Sequence, residues 1–233
     1  MQMKELAQKT IGEIVAEDYR ASQIFRARGM DFCCGGKKTL SSVCESKNID
    51  LNEILKEIDL LKSVETEQNH FKEWNLDFLV DYITQNHHNF VRKMLPEINF
   101  YAEKVARVHG SNHPELIEIF DKVKQLSYEL IEHLEKEEED LFPQIKDLVK
   151  HQKSGSVKES LVEILESEHE KAGELMAEIE TLTDNFTPPE GACASYRVLF
   201  QNLEGFQKDL HKHVHLENNI LFPKALQLEA RMN

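Results

Sequence analysis

An all-α fold, with a small N-terminal helical domain and a C-terminal antiparallel four-helix bundle, is what this 233-residue chain predicts. Three observations carry the expectation. Helix breakers are few, with 9 Gly and 6 Pro, and aromatics make up only 8%, which suits long helices better than many short strands. Four long helical segments follow one another through short connections, as in an up-down bundle. The second half of the bundle also repeats the first at an offset of about 80 residues.

The elements follow in order. Before residue 62 the helical segments are short. One begins near Thr10 and another covers "DYRASQIFRARG". A third runs through "TLSSVCESKN" after the "CCGGKK" turn, and a fourth starts at Asp50, with Glu53 completing a capping-box pattern. Residues 63–77, polar and without clear period, read as a linker between a domain over 1–62 and a bundle over 78–233. The first bundle helix runs from about Asn75 to a stop at Gly110. The second starts at Pro114, a good first-turn residue, and ends near Lys150. "HQKSGS" is a loop signal, the third helix spans about Ser156 to Asp184, and the fourth runs from about Ala192 onward.

Composition narrows the function classes. Hydrophobic residues at 40% and charged residues at 30% indicate a globular chain. A formal net charge of -14 with no basic run argues against a nucleic-acid or anionic-membrane partner. No apolar run has membrane-spanning length, and "MQMKELAQKTIGEI" does not read as a signal peptide. Four cysteines, two of them adjacent, do not make a disulfide scaffold, so a reducing, cytoplasmic location is expected.

The repeat carries the chemistry. "HLEKEEEDLFP" from His133 and "HVHLENNILFP" from His213 both fit H-x3-E-x3-L-F-P, 80 residues apart. Single histidines echo each other as well, His88 and His169 being 81 apart. Residues four apart share a helix face. On the second helix that face reads Leu126, Leu130, His133, Glu137, Leu141; on the fourth it reads Phe206, Leu210, His213, Glu217, Leu221. A buried carboxylate without compensation costs several kcal/mol or more, and metal ions supply that compensation. From His88 to Gly110 is 22 residues and from Pro114 to His133 is 19, so a hairpin sets the two histidines at similar height. His88, His133, Glu137, His169, His213 and Glu217 then converge midway along the bundle as a dinuclear site. Apolar stripes can be drawn through His87 or through His88, so the residues alone leave that choice open. Imidazole and carboxylate together suit several transition metals, and two histidines per metal with two shared glutamates leave coordination positions open to O2, NO or solvent.

The order single His, H-x3-E, single His, H-x3-E resembles the hemerythrin-like bundle of the bacterial repair-of-iron-centres proteins. "HHNFVRKMLPEI", "ESEHEKAGEL", both H-x3-E copies and the N-terminal "FRARGMDFCCGGKKTL" carry the resemblance over nearly the whole chain. It implies a non-haem, carboxylate-bridged di-iron centre with an oxo-type bridge. The ligands would be His88 (selected over His87), His133, Glu137, His169, His213 and Glu217, with Glu137 and Glu217 bridging. It also implies repair of iron–sulfur clusters damaged by nitrosative or oxidative stress, through iron donation or through NO binding and reduction. Iron–sulfur client proteins would be the partners, with a second copy of the chain as a further candidate. Glu129 and Glu168 match family carboxylates near the centre and would line a polar path to it.

Cys33 and Cys34 form the other candidate site. Two glycines, Lys37, Lys38 and a helix starting near Thr39 would lower thiol pKa values, giving a redox-active or transiently metal-binding pair; a packed pair of small residues is the structural alternative. Cys44 and Cys193 have no partner by spacing. The rest of the acidic run Glu138–Asp140 reads as a solvated face, and Pro143 and Pro223 as bends or ends of their helices. Rival functions are an O2 or NO sensor, for which no output domain is recognisable, and iron scavenging.

Overall fold

The computed structural model describes residues 2–62, 70–151 and 157–232. Residues 63–69 of the linker expected over 63–77, and all of the "HQKSGS" loop except His151, lie outside them. Five short helices open the chain: α1 (Gln2–Gln8), α2 (Ile11–Glu17), α3 (Ala21–Arg26), α4 (Leu40–Lys47) and α5 (Leu51–Lys62). Thr10 starts α2 through a full capping box with Glu13, and Asn48 ends α4 in the left-handed region at φ 54°. Asp50 caps α5 by accepting the Asn52 N–H at 2.8 Å, whereas Glu53 faces Arg28 at 3.9 Å. The "CCGGKK" segment is held against α2 by main-chain bonds, Gly12 N–H to Gly36 O and Ile11 N–H to Lys38 O, each 2.9 Å.

Four long rods follow. The first comprises α6 (Leu76–Tyr82), a π-helical turn over Ile83–His88 and α7 (Asn89–His109). The second comprises α8 (Glu115–Lys136), a π turn over Glu137–Leu141 and α9 (Phe142–His151). The third is α10 (Glu159–Leu182). The fourth comprises α11 (Ala194–Leu216), a π turn over Glu217–Leu221 and α12 (Phe222–Ala230). Of the two outcomes expected for Pro143 and Pro223, a bend or an end of the helix, the chain does not take the second: helix continues through both. A proline ring collides with the carbonyl four residues back, and here the turn just before each proline widens: Phe142 N–H bonds Glu137 O and Phe222 N–H bonds Glu217 O, five residues back. Such bulges recur at functional sites.

The apolar interior falls into two clusters. One joins the N-terminal helices to the Gly110 end of the bundle, through residues such as Phe25, Leu40, Leu95, Leu130 and Leu210. The other fills the opposite end, with Leu79, Ile83, Leu141, Leu165, Leu221 and Phe222. Phe71, inside the stretch read as linker, is 1% exposed and packs on Trp74, Tyr82 and Tyr19 at ring separations of 4.8, 5.9 and 6.3 Å. Among the described residues no helix is long and apolar enough to cross a membrane.

Candidate metal centre

Between the two apolar clusters lies a polar layer. His88 ends the first π turn, while Glu137 and Glu217 begin the second and third; the histidines sit on the inward stripes of all four rods. His88, His133, His169, His213, Glu137 and Glu217 are each at most 2% exposed. They form two sets, His88–His213 and His133–His169, and both sets share Glu137 and Glu217. Within each set the donor atoms all lie within 4.8 Å of one another.

The carboxylates span the sets. Glu137 Oε2 lies 3.3 Å from His88 Nε2 while its Oε1 lies 3.4 Å from His133 Nε2. Glu217 Oε1 lies 2.9 Å from His213 Nε2 while its Oε2 lies 3.3 Å from His169 Nε2. The paired imidazoles meet edge to edge, His88 Nε2 to His213 Nε2 at 3.1 Å and His133 Nε2 to His169 Nε2 at 2.8 Å.

This donor set fits cations. Both oxygens of Glu137 and Oε2 of Glu217 are buried without a hydrogen bond, a costly arrangement for ionised groups. Burial and the neighbouring carboxylate push Glu137 upward, yet the histidines override both and hold it well below the ordinary glutamate range; Glu217 is held low in the same way. Burial pushes His88 and His133 down, but the same two carboxylates, joined at His133 by Glu168, raise each to about 10. His213 is lowered, with burial outweighing Glu217. The protein thus gathers charge on the two glutamates and neutralises it only with protons on imidazole. Four nitrogens and four oxygens facing one small volume can hold two cations in place of those protons.

The outward imidazole nitrogens are anchored by a second ring of side chains. His88 Nδ1 donates to Glu138 Oε1 at 2.7 Å, and Arg92 grips the same oxygen at 2.6 Å. His133 Nδ1 donates to Glu168 Oε2 at 2.9 Å, and Lys136 holds the other oxygen at 2.5 Å. The His133 hydrogen bond, ahead of the opposing effect of burial, draws Glu168 down to about 2. His169 Nδ1 donates to Asn218 Oδ1 at 2.8 Å. Such bonds fix the tautomer and ring orientation of a ligating histidine. Glu138 is half-buried, so the acidic run is solvated only at Glu139 and Asp140. Glu129, expected near the centre, accepts instead from Gln125 at 2.9 Å, one turn along its own helix. His87 is buried beside the centre but outside both donor sets; its Nδ1 bonds Asp209 at 2.9 Å and its ring stacks on His213 at 5.6 Å.

Sequence reasoning missed Glu138 and Asn218. The available signal was the repeat itself: each follows its glutamate directly, and 218 minus 138 is again 80. Glu168 and His87 likewise precede equivalent histidines, and one bonds His133 while the other stacks on His213.

The thiol pair sits outside this layer. Cys33 is buried and Cys34 half-buried, both as free thiols, with their sulfurs 4.0 Å apart. The expectation of a lowered thiol pKa fails for Cys33, which its hydrogen bond to Cys34, burial and nearby Asp31 push well upward. The Lys37 ammonium is paired with Glu166 at 2.7 Å, and Asp31 is the charged group that faces the Cys33 sulfur, at 3.1 Å.

Comparison with known proteins agrees with this geometry. Residues 78–225, which include all six central donors, match the family described as hemerythrin HHE cation binding domain, and residues 7–62 match a domain of unknown function, DUF542. The iron-sulfur cluster repair protein YtfE of Yersinia pestis (strain Pestoides F) is 36% identical over 224 residues, covering 95% of this chain and 98% of the relative. YtfE of Yersinia pseudotuberculosis serotype O:1b (strain IP 31758) matches to the same extent. The chain belongs to the hemerythrin HHE family of YtfE-like proteins. Membership reaches beyond the bundle, because the shared length includes the thiol loop as well as both H-x3-E helices. The two halves of this hemerythrin-like bundle are not copies in detail: Glu139 is exposed, whereas its counterpart Asn219 donates to the Phe32 and Cys33 carbonyls at 3.2 and 3.1 Å.

Proposed function

We propose that this protein repairs iron–sulfur clusters damaged by nitrosative or oxidative stress, using a carboxylate-bridged di-iron centre held by His88, His133, Glu137, His169, His213 and Glu217. The observation that carries the reading is the pair of buried glutamates shared by two histidine pairs. When bound, the two irons supply redox-active, exchangeable ferrous and ferric ions with positions open to NO or O2. Glu137 and Glu217 would bridge, since each turns one oxygen to each histidine pair. Glu138, Glu168 and Asn218 would hold three imidazoles in the ligating orientation, and the Nδ1–H bonds would keep each Nε2 directed inward. The apolar clusters on either side exclude water from the layer.

Residues 1–62 are the thiol-bearing domain in this reading, 63–77 the connection and 78–233 the iron-holding bundle. Iron–sulfur proteins are the clients, the compartment is the cytoplasm, and a homodimer is the assembly to test for. The experiment is anaerobic incubation of the iron-loaded protein with an iron–sulfur enzyme inactivated by NO. Recovery of the client's activity with the wild type, and none with Glu137→Ala/Glu217→Ala, is expected; no recovery with either would contradict repair by this chain. Gas analysis for N2O after mixing the reduced protein with NO separates NO reduction from iron donation.

A further inference from the structure

One cavity lies away from the bundle centre. A volume of about 610 Å³ opens between the thiol loop and the third and fourth rods, lined by Asp31, Cys33 and Cys34 on one wall and by Glu170, Glu174 and His211 among the residues opposite. Its loop wall is rigidly built. Asp31 Oδ1 accepts the backbone N–H groups of Cys33 and Cys34 at 3.0 Å each, and Oδ2 accepts that of Gly35 at 2.8 Å. The same Oδ1 stands 3.1 Å from Cys33 Sγ. Asn219, two residues beyond Glu217, ties the loop carbonyls of Phe32 and Cys33 to the fourth rod.

We infer that Asp31, Cys33 and Cys34 form a second metal site, separate from the bundle centre, that takes one thiophilic divalent cation from the cavity. The three donor atoms lie within 4.8 Å of one another. The sulfurs, 4.0 Å apart, stand at about twice the length of a disulfide bond. Two thiolates at about 2.3 Å from one tetrahedral ion stand roughly 3.8 Å apart, so this spacing suits an ion between them. Asp31 adds a carboxylate on the same side. His211 is a further unassigned donor on the cavity wall, its Nδ1 buried without a hydrogen-bond partner. Lys37, the nearest cation in sequence, is engaged by Glu166. Binding is a plain exchange: two S–H bonds break, two metal–sulfur bonds form, two protons leave to solvent and no electron moves. In a protein that handles iron, the cargo of such a site is ferrous iron passing between solvent and client; that role rests on the proposed function, whereas the site itself does not.

Cadmium tests the site directly, because its thiolate complexes absorb in the near ultraviolet. The reduced, iron-loaded full chain is titrated with Cd2+, with iron content measured in parallel. One equivalent of thiolate–cadmium absorbance is expected. It should persist in Cys193→Ser, which removes the exposed thiol beside His109, and vanish in Cys33→Ser/Cys34→Ser. Asp31→Asn, which keeps one oxygen for the Cys33 and Cys34 amides and gives up the bond to Gly35, should weaken binding by about tenfold. Absorbance unchanged in Cys33→Ser/Cys34→Ser, none in a wild type that retains its bundle iron, or undiminished affinity in Asp31→Asn would overturn the three-residue site. Bundle iron content is a separate readout, so its failure contradicts the di-iron reading and not this one.

Discussion

Glu138 Oε1 lies 2.7 Å from Nδ1 of His88, so consecutive glutamates on one turn serve opposite edges of a single ring. Glu137 faces Nε2 from within the layer and Glu138 fixes Nδ1 from outside it. Shortening the second carboxylate frees the ring without touching either donor set. Glu138→Ala is therefore expected to weaken metal retention about 10–100-fold while leaving helix content unchanged. Iron remaining after a timed chelator challenge measures it, with Glu139→Ala, exposed on the same turn, as the neutral control.

The thiol domain is keyed to the fourth rod at Asn219. A Cβ built on Gly12 would stand 2.1 Å from Asn219 Oδ1 and 3.0 Å from Gly36 O. Gly12→Ala gains helix propensity but must displace that contact, and overpacking of this kind costs about 1–3 kcal/mol. A lower melting temperature and faster proteolysis within residues 1–62 are expected, with the isolated exposed Gly205→Ala, which meets nothing within 4 Å, unaffected or stabilised.

Tyr19 gives the pH dependence of the same interface. Burial, ahead of the opposing Ser22 hydrogen bond, raises its phenol to about 12, and its ring lies against Phe71 and His215. The folded chain therefore holds the phenolic proton more tightly than the unfolded chain, whose tyrosines titrate near 10. Stability from this group is fully present below pH 10 and is lost as pH rises through about 12. Denaturation midpoints measured across that window should fall less steeply in Tyr19→Phe than in wild type; equal slopes would assign the loss to other groups.

Much of this arrangement is legible in the sequence because it is written as periodicity. The two H-x3-E copies interrupt apolar stripes at the same step, and Leu126, Leu130, Leu141, Phe206, Leu210 and Leu221 are all buried as those stripes require. Features set by local chain path are harder to read. Nothing in "LFP" says whether a proline ends a helix or is absorbed by a five-residue turn, because the outcome depends on packing around Phe142 and Phe222. Glu138 looked solvated because its neighbours are; only the position of His88 across the bundle gives it a buried partner. Phe71 hid in a polar stretch for the same reason, its burial coming from Tyr19, Trp74 and Tyr82. Cys33 went the other way: Lys37 and Lys38 suggested an activated thiol, but Glu166, 129 residues away, claims Lys37, and Asp31 faces the sulfur instead.

Metal content of the purified chain tests the central claim most directly. Protein made in iron-replete medium should carry two irons, one for each donor set, with a carboxylate- and oxo-type charge-transfer spectrum, and Glu137→Ala/Glu217→Ala should lose both the metal and the spectrum. A wild type without iron, or a double variant that keeps the full complement, would contradict it.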